Sequence, residues 1–249
     1  IQMREFKVKS NIGKKLAYAL LWIALWQLAA TAFGKSFVLP SPLLTFRVLA
    51  DLAGQALFWH SCAVTLLRVS SALAAACAAG FLSAYFAWYA PRTKDFLHLP
   101  VSTIKTVPVM SVILFALLCM PSFAVPVFVC FLMCFPVMYT NILQGFESVP
   151  KGYLELAQVY RMSRGKYFSR ILLPASKGYV KAGLELCAGL SWKSCVAAEV
   201  LSSPRTSMGF HLMTAKMYLD GASLFAWTLA IIALSLCFEK LLKALLGRL

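Results

Sequence analysis

Three charged residues stand inside apolar stretches of the sequence, where ionised side chains are rare and usually functional. Lys193 and Glu199 share one stretch, next to Trp192, and Arg68 lies near the outer end of another, where it can snorkel to the membrane surface. Six residues turn a helix through about 240°, so Lys193 and Glu199 cannot share one helix face. Each must pair with another helix or face an aqueous path. The second alternative makes Lys193, Glu199 and Trp192 candidate residues of a solute path.

No other arrangement in the sequence is typical of an enzyme or a metal site. Paired carboxylates, or a nucleophile beside a base, are not found. The histidines His60, His98 and His211 are far apart, and none of the 8 cysteines forms a C-x-x-C pair. Most cysteines fall in apolar runs, so we expect them to be small buried residues. We therefore expect no catalytic residue and no metal ligand in this chain.

The composition is that of an integral membrane protein. Hydrophobic residues make up 61% of the 249 positions and charged residues only 13%, with a mean hydropathy of +0.77. Soluble proteins contain about 25% charged residues. The net charge of +15 could suggest nucleic acid, but the basic residues lie between apolar runs, and we expect no nucleic acid partner. No gap holds an ordinary soluble domain of about 100 residues. We predict a single transmembrane domain over residues 1–249, with the energy source elsewhere.

Six stretches approach the length of about 20 mostly apolar residues that a membrane-spanning helix needs. They cover residues 15–33, 61–89, 100–120, 122–144, 178–201 and 222–242. The first resembles a signal peptide, but its apolar run is long and lacks a clear cleavage site, so we take it as a helix. Residues 43–58 have the pattern of an amphipathic helix on the outer surface, and a short helix is predicted over residues 211–219. The expected fold is an all-α membrane protein with about six transmembrane helices.

The basic residues also predict an orientation. If the N-terminus is cytoplasmic, seventeen of the 24 Lys and Arg residues lie in cytoplasmic segments, four lie outside and three belong to the spans. This asymmetry follows the positive-inside rule. We predict that both termini are cytoplasmic.

The cytoplasmic segment after the fourth span, residues 148–174, is too patterned for a passive loop. Ser148 can cap a helix with Pro150 in its first turn. An apolar stripe follows, with Glu155 near the helix start, where the dipole favours a carboxylate. A break is predicted around Gly165, and a second short amphipathic piece runs to Pro174. We call residues 148–174 the elbow, and its apolar stripe indicates a protein partner.

The elbow resembles the cytoplasmic signature of the permease subunits of bacterial ATP-binding cassette importers. That signature is Glu-Ala-Ala, three residues, Gly, nine residues, then Ile-x-Leu-Pro. The matching positions here are Glu155, Leu156 and Ala157, then Arg161 at the glycine position, then Ile171, Leu173 and Pro174. Because Arg161 replaces the glycine, we expect the bend to move to Gly165.

A weaker resemblance, to the branch that imports sulfonates, taurine, nitrate and vitamin precursors, extends over most of the chain. It rests on the order and spacing of Leu39-Pro-Ser-Pro42, His60, Thr65-Leu-Leu-Arg68, Pro100, Thr106-Val-Pro108, Asn141, Gly145, Trp192 and Ala197-Ala-Glu199. The glycine-rich stretch that often follows in this branch is reduced here to Gly209.

The resemblance implies that the elbow is a coupling helix that docks on a separate ATPase subunit. ATP and Mg would belong to that subunit, and this chain would hold no cofactor. The residues that the resemblance assigns to coupling are Glu155, Ala157, Arg161, Gly165, Ile171 and Pro174. It also implies a second permease copy, expected as a homodimer in the lipid bilayer of the bacterial inner (cytoplasmic) membrane. An extracytoplasmic binding protein would deliver a small solute, whose identity this chain does not specify.

Two other classes of protein fit the sequence less well. A secondary transporter driven by an ion gradient could use Glu199 and Lys193 as a relay, but the two halves of the sequence show no inverted repeat. A membrane enzyme or scaffold is the third possibility. It lacks the catalytic residues that an enzyme requires.

Overall fold

The computed structural model describes residues 2–35 and 37–247, without the side chains of residues 2–13, 15, 16 and 151. Every regular element in this part of the chain is helical, which confirms the all-α fold. In chain order the elements are α1 (Gln2–Phe33), α2 (Pro42–Ala53), α3 (Ala56–Tyr89), α4 (Pro91–Thr106), α5 (Val109–Cys119), α6 (Val125–Glu147), α7 (Lys151–Val159), α8 (Arg164–Tyr167), a π-helix (Phe168–Leu172), α9 (Leu173–Ser202), α10 (Met208–Met217) and α11 (Gly221–Leu246). Six basic residues of the orientation count have side chains outside the described part: Arg4, Lys7, Lys9, Lys15, Lys151 and Arg248.

Three helices, α3, α6 and α11, are long and apolar enough to cross a membrane. Taken together, helices α4 and α5 are also long and apolar enough, but the chain bends by 104° between them. The predicted span 100–120 is therefore two helices. The cause is Pro108, which disfavours helical backbone at the preceding residue, and Val107 is extended, with φ −68° and ψ 131°.

The segments expected at 15–33 and 178–201 lie in helices whose described residues do not meet the length and apolar composition of a membrane span. Within α1 the described apolar part is Ala17–Phe33, which is a shorter helix. Helix α9 has 30 residues, but Lys193 and Glu199 are among the charged residues that lower its hydropathy. It buries Cys187 and Trp192 against other helices, so it need not be apolar all round. By length and composition the described helices give three spans, or four with the bent pair, where the sequence predicted about six.

The chain divides into two compact units. The first comprises Ile1–Trp59 and His211–Ile231, and the second comprises His60–Phe210 and Ile232–Leu249. In the first unit, α2 begins at Pro42 because Ser41 Oγ accepts a hydrogen bond from the Leu44 amide at 3.3 Å. The predicted amphipathic helix over 43–58 is therefore present but ends at Ala53, and residues 57 and 58 belong to α3.

The core of the second unit is the packing of α6 against α9. Glycines allow this close approach, because a Cβ at Gly145 would lie 2.9 Å from Ser176 Cβ, and one at Gly183 would lie 3.1 Å from Asn141 Cβ. On α3, Gly80 similarly approaches Met138 of α6. Small residues at helix contacts are the usual means of close packing in membranes, where dispersion replaces the hydrophobic effect between helices.

Candidate functional sites in the elbow and beside Glu199

The first helix of the elbow, α7, is nearly all exposed. It begins at Lys151, and Ser148 instead ends α6, where its hydroxyl donates a hydrogen bond to the Gly145 carbonyl at 2.8 Å. The predicted cap at Ser148 was therefore wrong. Glu155 is exposed and is the fifth residue of α7, so it lies within the first two turns of the helix, as predicted. Ala157 is the buried residue of this helix, with 5% of its surface exposed.

Arg161 makes the turn that ends α7. Its φ is +47°, in the left-handed region that glycine occupies at low cost. The Met162 amide donates to the Ala157 carbonyl at 2.8 Å and the Arg161 amide donates to the Gln158 carbonyl at 3.0 Å. This pair of hydrogen bonds is the Schellman motif, which normally has glycine at the position of Arg161.

The expectation that the bend moves to Gly165 was therefore wrong. Gly165 lies within α8, and a Cβ built on it would meet no atom within 4 Å. The backbone turns at the family's glycine position even though the residue there is arginine. The hydrogen bonds of the Schellman motif compensate for the left-handed conformation of Arg161.

The second piece of the elbow does not end at Pro174, as predicted, but continues without a break through the π-helix into α9. In an α-helix the Pro174 ring would collide with the carbonyl of Arg170, four residues earlier. The wider π turn over Phe168–Leu172 contains Arg170 and relieves that contact. Of the predicted coupling residues here, Ile171 is half-buried and Pro174 is exposed.

Aromatic contacts anchor the second piece to the helices beside it. The ring of Phe168 lies 4.9 Å from that of Tyr85 and 5.8 Å from that of Phe146. Tyr167 stacks on Trp88 at 6.2 Å, and burial raises the pKa of its phenol. A cavity of about 440 Å³ lies beside this cluster. Its lining includes Trp88, Tyr89, Leu154, Ala157, Met162 and Tyr167.

The second site is centred on Glu199, which is fully buried in α9. Its carboxylate accepts a 2.8 Å hydrogen bond from Arg68 Nη1 and 3.0 Å bonds from the Thr65 hydroxyl, both residues of α3. The Gly209 amide donates to the same carboxylate at 3.1 Å, and the Met208 amide donates to Thr65 Oγ1 at 3.1 Å. A carboxylate inside a membrane protein is expensive unless paired, and this one is paired and hydrogen-bonded.

Gly209 can make this bond because it has no side chain. A Cβ on Gly209 would overlap Glu199 Cβ and would lie 2.8 Å from the Val200 amide nitrogen. The start of α10 therefore packs directly on α9. We call Thr65, Arg68, Glu199 and Gly209 the Glu199 cluster.

The sequence names each member of this cluster, with Arg68 as one of two candidate partners of Glu199, but it does not bring Thr65 or Gly209 to the carboxylate. Arg68 was expected to snorkel to the membrane surface and instead forms an ion pair, with 14% of its side chain exposed. Thr65 and Gly209 were noted only as family matches. The other two candidate residues of the solute path do not join this cluster: Lys193 is exposed, and Trp192 is buried with its ring 6.1 Å from that of Phe238.

Among the described residues the ion pairs are Arg68–Glu199 and the exposed pair Lys94–Glu147, at 2.6 Å. The Glu147 hydrogen bond raises the pKa of Lys94. Across the described range, no group of three or more His, Cys, Asp or Glu residues could hold a metal ion.

Comparison with known proteins gives the context for these sites. A family model described as "Binding-protein-dependent transport system inner membrane component" matches residues 76–249. The chain is 35% identical over 89 residues to the bicarbonate transport system permease protein CmpB of Synechococcus elongatus, covering 36% of this chain and 32% of the relative. It is 31% identical over 162 residues to the nitrate import permease protein NrtB of Leptolyngbya laminosa, covering 65% of this chain and 57% of the relative.

The chain is similar over a longer alignment to the putative aliphatic sulfonates transport permease protein SsuC of Bacillus subtilis. The two are 27% identical over 218 residues, which are 86% of this chain and 78% of the relative. The chain spans about a third of the first relative's length and just over half of the second's. The family match is broader, because residues 76–249 contain the elbow, Glu199 and most of the chain. The chain therefore belongs to the family of binding-protein-dependent transport system inner membrane components, the permeases of ATP-binding cassette importers.

Proposed function

We infer that this permease forms the solute path of an ATP-driven importer and couples through the elbow to a separate ATPase subunit. The family is one of transport permeases and not of catalytic enzymes. In this proposal ATP and Mg²⁺ are bound by the partner subunit, and the chain supplies the path and the mechanical connection as a single domain. The observation that carries the proposal is the exposed apolar surface of α7.

That surface is large for a nine-residue helix. Tyr153, Leu154, Leu156 and Val159 are exposed by 51%, 45%, 52% and 78%. Leaving such side chains in water is unfavourable by roughly 25 cal/mol per Å² of apolar area, so a helix of this kind is stabilised by a partner. The Schellman turn at Arg161 and the packing of Phe168 hold α7 in a fixed position, which a docking helix requires.

The proposed coupling residues divide into two groups by environment. Glu155 and Pro174 are exposed, and in this proposal Glu155 contacts the ATPase directly. Ala157 and Arg161 shape the helix end, while Ile171 belongs to the segment that joins the elbow to α9. Gly165 contributes open space in α8 for a close approach of the partner.

The solute that we propose is a small anion. The names of the relatives specify bicarbonate, nitrate and aliphatic sulfonates, all of which carry negative charge at neutral pH. Lys193 is exposed on α9, and an accessible cation on a path wall attracts anions. Glu199 is neutralised by Arg68 and would not repel them. We also propose that the chain forms a homodimer with a second permease copy. An extracytoplasmic binding protein would deliver the solute to it.

Charge reversal at Glu155 tests the coupling proposal. In a complex reconstituted with its ATPase subunit, we expect Glu155→Lys to lower solute-stimulated ATP hydrolysis and uptake while the permease stays folded. Asp51→Lys is the matched control, because Asp51 is an exposed acid on α2, outside the elbow. Normal uptake by a well-expressed Glu155→Lys complex would contradict docking through this residue.

Labelling tests the orientation, which in this proposal places the elbow and both termini in the cytoplasm. A single cysteine at position 164, in a background without the natural cysteines, should react with an impermeant maleimide only after the membrane is opened. A single cysteine at position 205 should react from outside. Labelling of position 164 in sealed cells would reverse the proposed orientation.

A further inference from the structure

An apolar groove lies between the C-terminal part of α3, the start of α9 and the end of α11, where Leu173 at the end of the elbow contributes to its lining. Its volume is about 440 Å³. Phe81, Leu173, Val180 and Leu246 supply its apolar lining. The groove has room because Gly178 lies in its wall and a Cβ built there would meet no atom within 4 Å.

Two lysines of α9, Lys177 and Lys181, also line this groove. Lys181 and Glu185 have the i, i+4 spacing of a helical ion pair. The ion pairs of the described residues nevertheless do not include them. Lys181 therefore brings an ammonium group without a carboxylate partner to the edge of an apolar groove.

The chemistry of the groove defines its occupant. An apolar trough accepts a hydrocarbon chain, and lysines at its edge attract a negatively charged head group. A phospholipid with an anionic head group combines the two. Leu173 lies at the start of α9 and Leu246 at the end of α11, while Phe81 is eight residues before the end of α3. The orientation proposed above puts the start of α9 and the end of α11 on the cytoplasmic side, where head groups are available. Basic pockets between membrane helices are known to bind such head groups.

We propose that this groove binds an anionic phospholipid, with one acyl chain along Phe81, Val180 and Leu246 and the head-group phosphate at Lys181 and Lys177. The lipid fills space beside Gly178 that the protein leaves empty. It holds the end of α11 against α9, next to the point at which the elbow joins α9. The lining of the groove includes neither Glu155 nor any residue of the Glu199 cluster.

Native mass spectrometry of the purified full-length permease tests the proposal. The protein is released from nanodiscs that contain equal amounts of dioleoyl phosphatidylglycerol and dioleoyl phosphatidylcholine, and the retained lipids are counted. We expect preferential retention of phosphatidylglycerol. Lys181→Gln should weaken that preference about fivefold, the effect of removing one lysine contact near a membrane surface. Lys240→Gln removes the same charge from an exposed site on α11 outside the groove lining and should leave the preference unchanged.

Variants that fill the groove distinguish lipid bound in it from lipid bound elsewhere on the protein. Gly178→Leu and Gly178→Trp should lose the retained phosphatidylglycerol in order of side-chain size, whereas Gly178→Ala should keep it. Equal retention of the two lipids by the parent protein would overturn the proposal, as would full retention by Gly178→Trp. If Gly178→Trp instead changed the number of permease copies, the groove would be an interface between copies and the lipid proposal would be wrong.

Discussion

Arg68 and Glu199 are 131 positions apart in the sequence, and their side chains meet at 2.8 Å. The pair joins α3 to α9, and Glu199 has no exposed surface. Thr65 and Gly209 complete the hydrogen bonding of the carboxylate, so the start of α10 is tied to the same point. This cluster therefore joins α3, α9 and residues 208 and 209 through one side chain.

We predict that Glu199→Gln lowers stability more than it lowers uptake. The variant leaves Arg68 without its carboxylate, and breaking one side of a buried ion pair typically costs about 3–5 kcal/mol. The melting temperature in detergent should fall clearly, and Arg68→Met should cause a similar fall.

A double variant provides the control for this prediction. Glu199→Met combined with Arg68→Met removes both charges and should recover part of the lost stability. If Glu199→Gln kept its melting temperature while uptake collapsed, Glu199 would act in the solute path and not in packing.

Gly209→Ala tests the close approach of α10 to α9. A Cβ at position 209 has no space beside Glu199 and the Val200 amide, so α10 must shift and the Gly209 amide must leave the carboxylate. Overpacking of this kind costs typically about 1–3 kcal/mol. We expect a lower melting temperature for Gly209→Ala. Gly165→Ala, where a Cβ meets nothing, should leave it unchanged or slightly raised.

Arg161→Gly should strengthen the turn of the elbow. A left-handed conformation costs an ordinary residue about 1–2 kcal/mol, which glycine does not pay. Part of this gain is lost because glycine makes the unfolded chain more flexible, by about 0.4–1 kcal/mol. Hydrogen exchange should show slower exchange at the Met162 amide in Arg161→Gly and faster exchange in Arg161→Val. The reverse order would show that the Schellman turn is absent in solution.

His211 predicts a pH dependence of stability. Burial lowers its pKa from the usual 6.5, and its ring stacks on Trp227 at 4.5 Å. The folded protein therefore binds this proton less readily than the unfolded chain, so stability falls as pH decreases through about 6.5. The melting temperature of the parent protein should drop between pH 7.5 and 5.5 by more than that of His211→Phe. Equal drops would mean that His211 contributes nothing to this dependence.

The elbow could be predicted from the sequence because its information is local. The spacing of Glu155, Ala157 and Pro174 and the surrounding apolar residues sufficed to predict two helical pieces with a bend. The exact bend could not be predicted, because an arginine normally avoids positive φ and Gly165 was the better candidate. The hydrogen bonds of the Arg161 and Met162 amides place the bend at Arg161, and the sequence does not show them.

The spans were harder to predict, because hydropathy reports composition and not neighbours. Helix α9 contains Lys193 and Glu199, and a charged residue is tolerated when another helix neutralises it. Nothing in the local sequence shows that Arg68 is that partner. Pro108 predicts a kink beside Val107, but its size could not be predicted, since proline within an apolar run is compatible with a kinked span as well as with two separate helices.

The contact between Gly145 and Ser176 lies where the elbow leaves α6 and joins α9. The two ends of this segment are closely packed, and drawing them apart would lose the packing of α6 against α9, so we expect them to move as one body. A pull on α7 therefore displaces α6 and α9 together and does not widen the space between them. A passage that opens when the elbow moves must then open at another surface of this helix pair, and substitutions that enlarge residue 145 should disturb that transmission before they affect the passage itself.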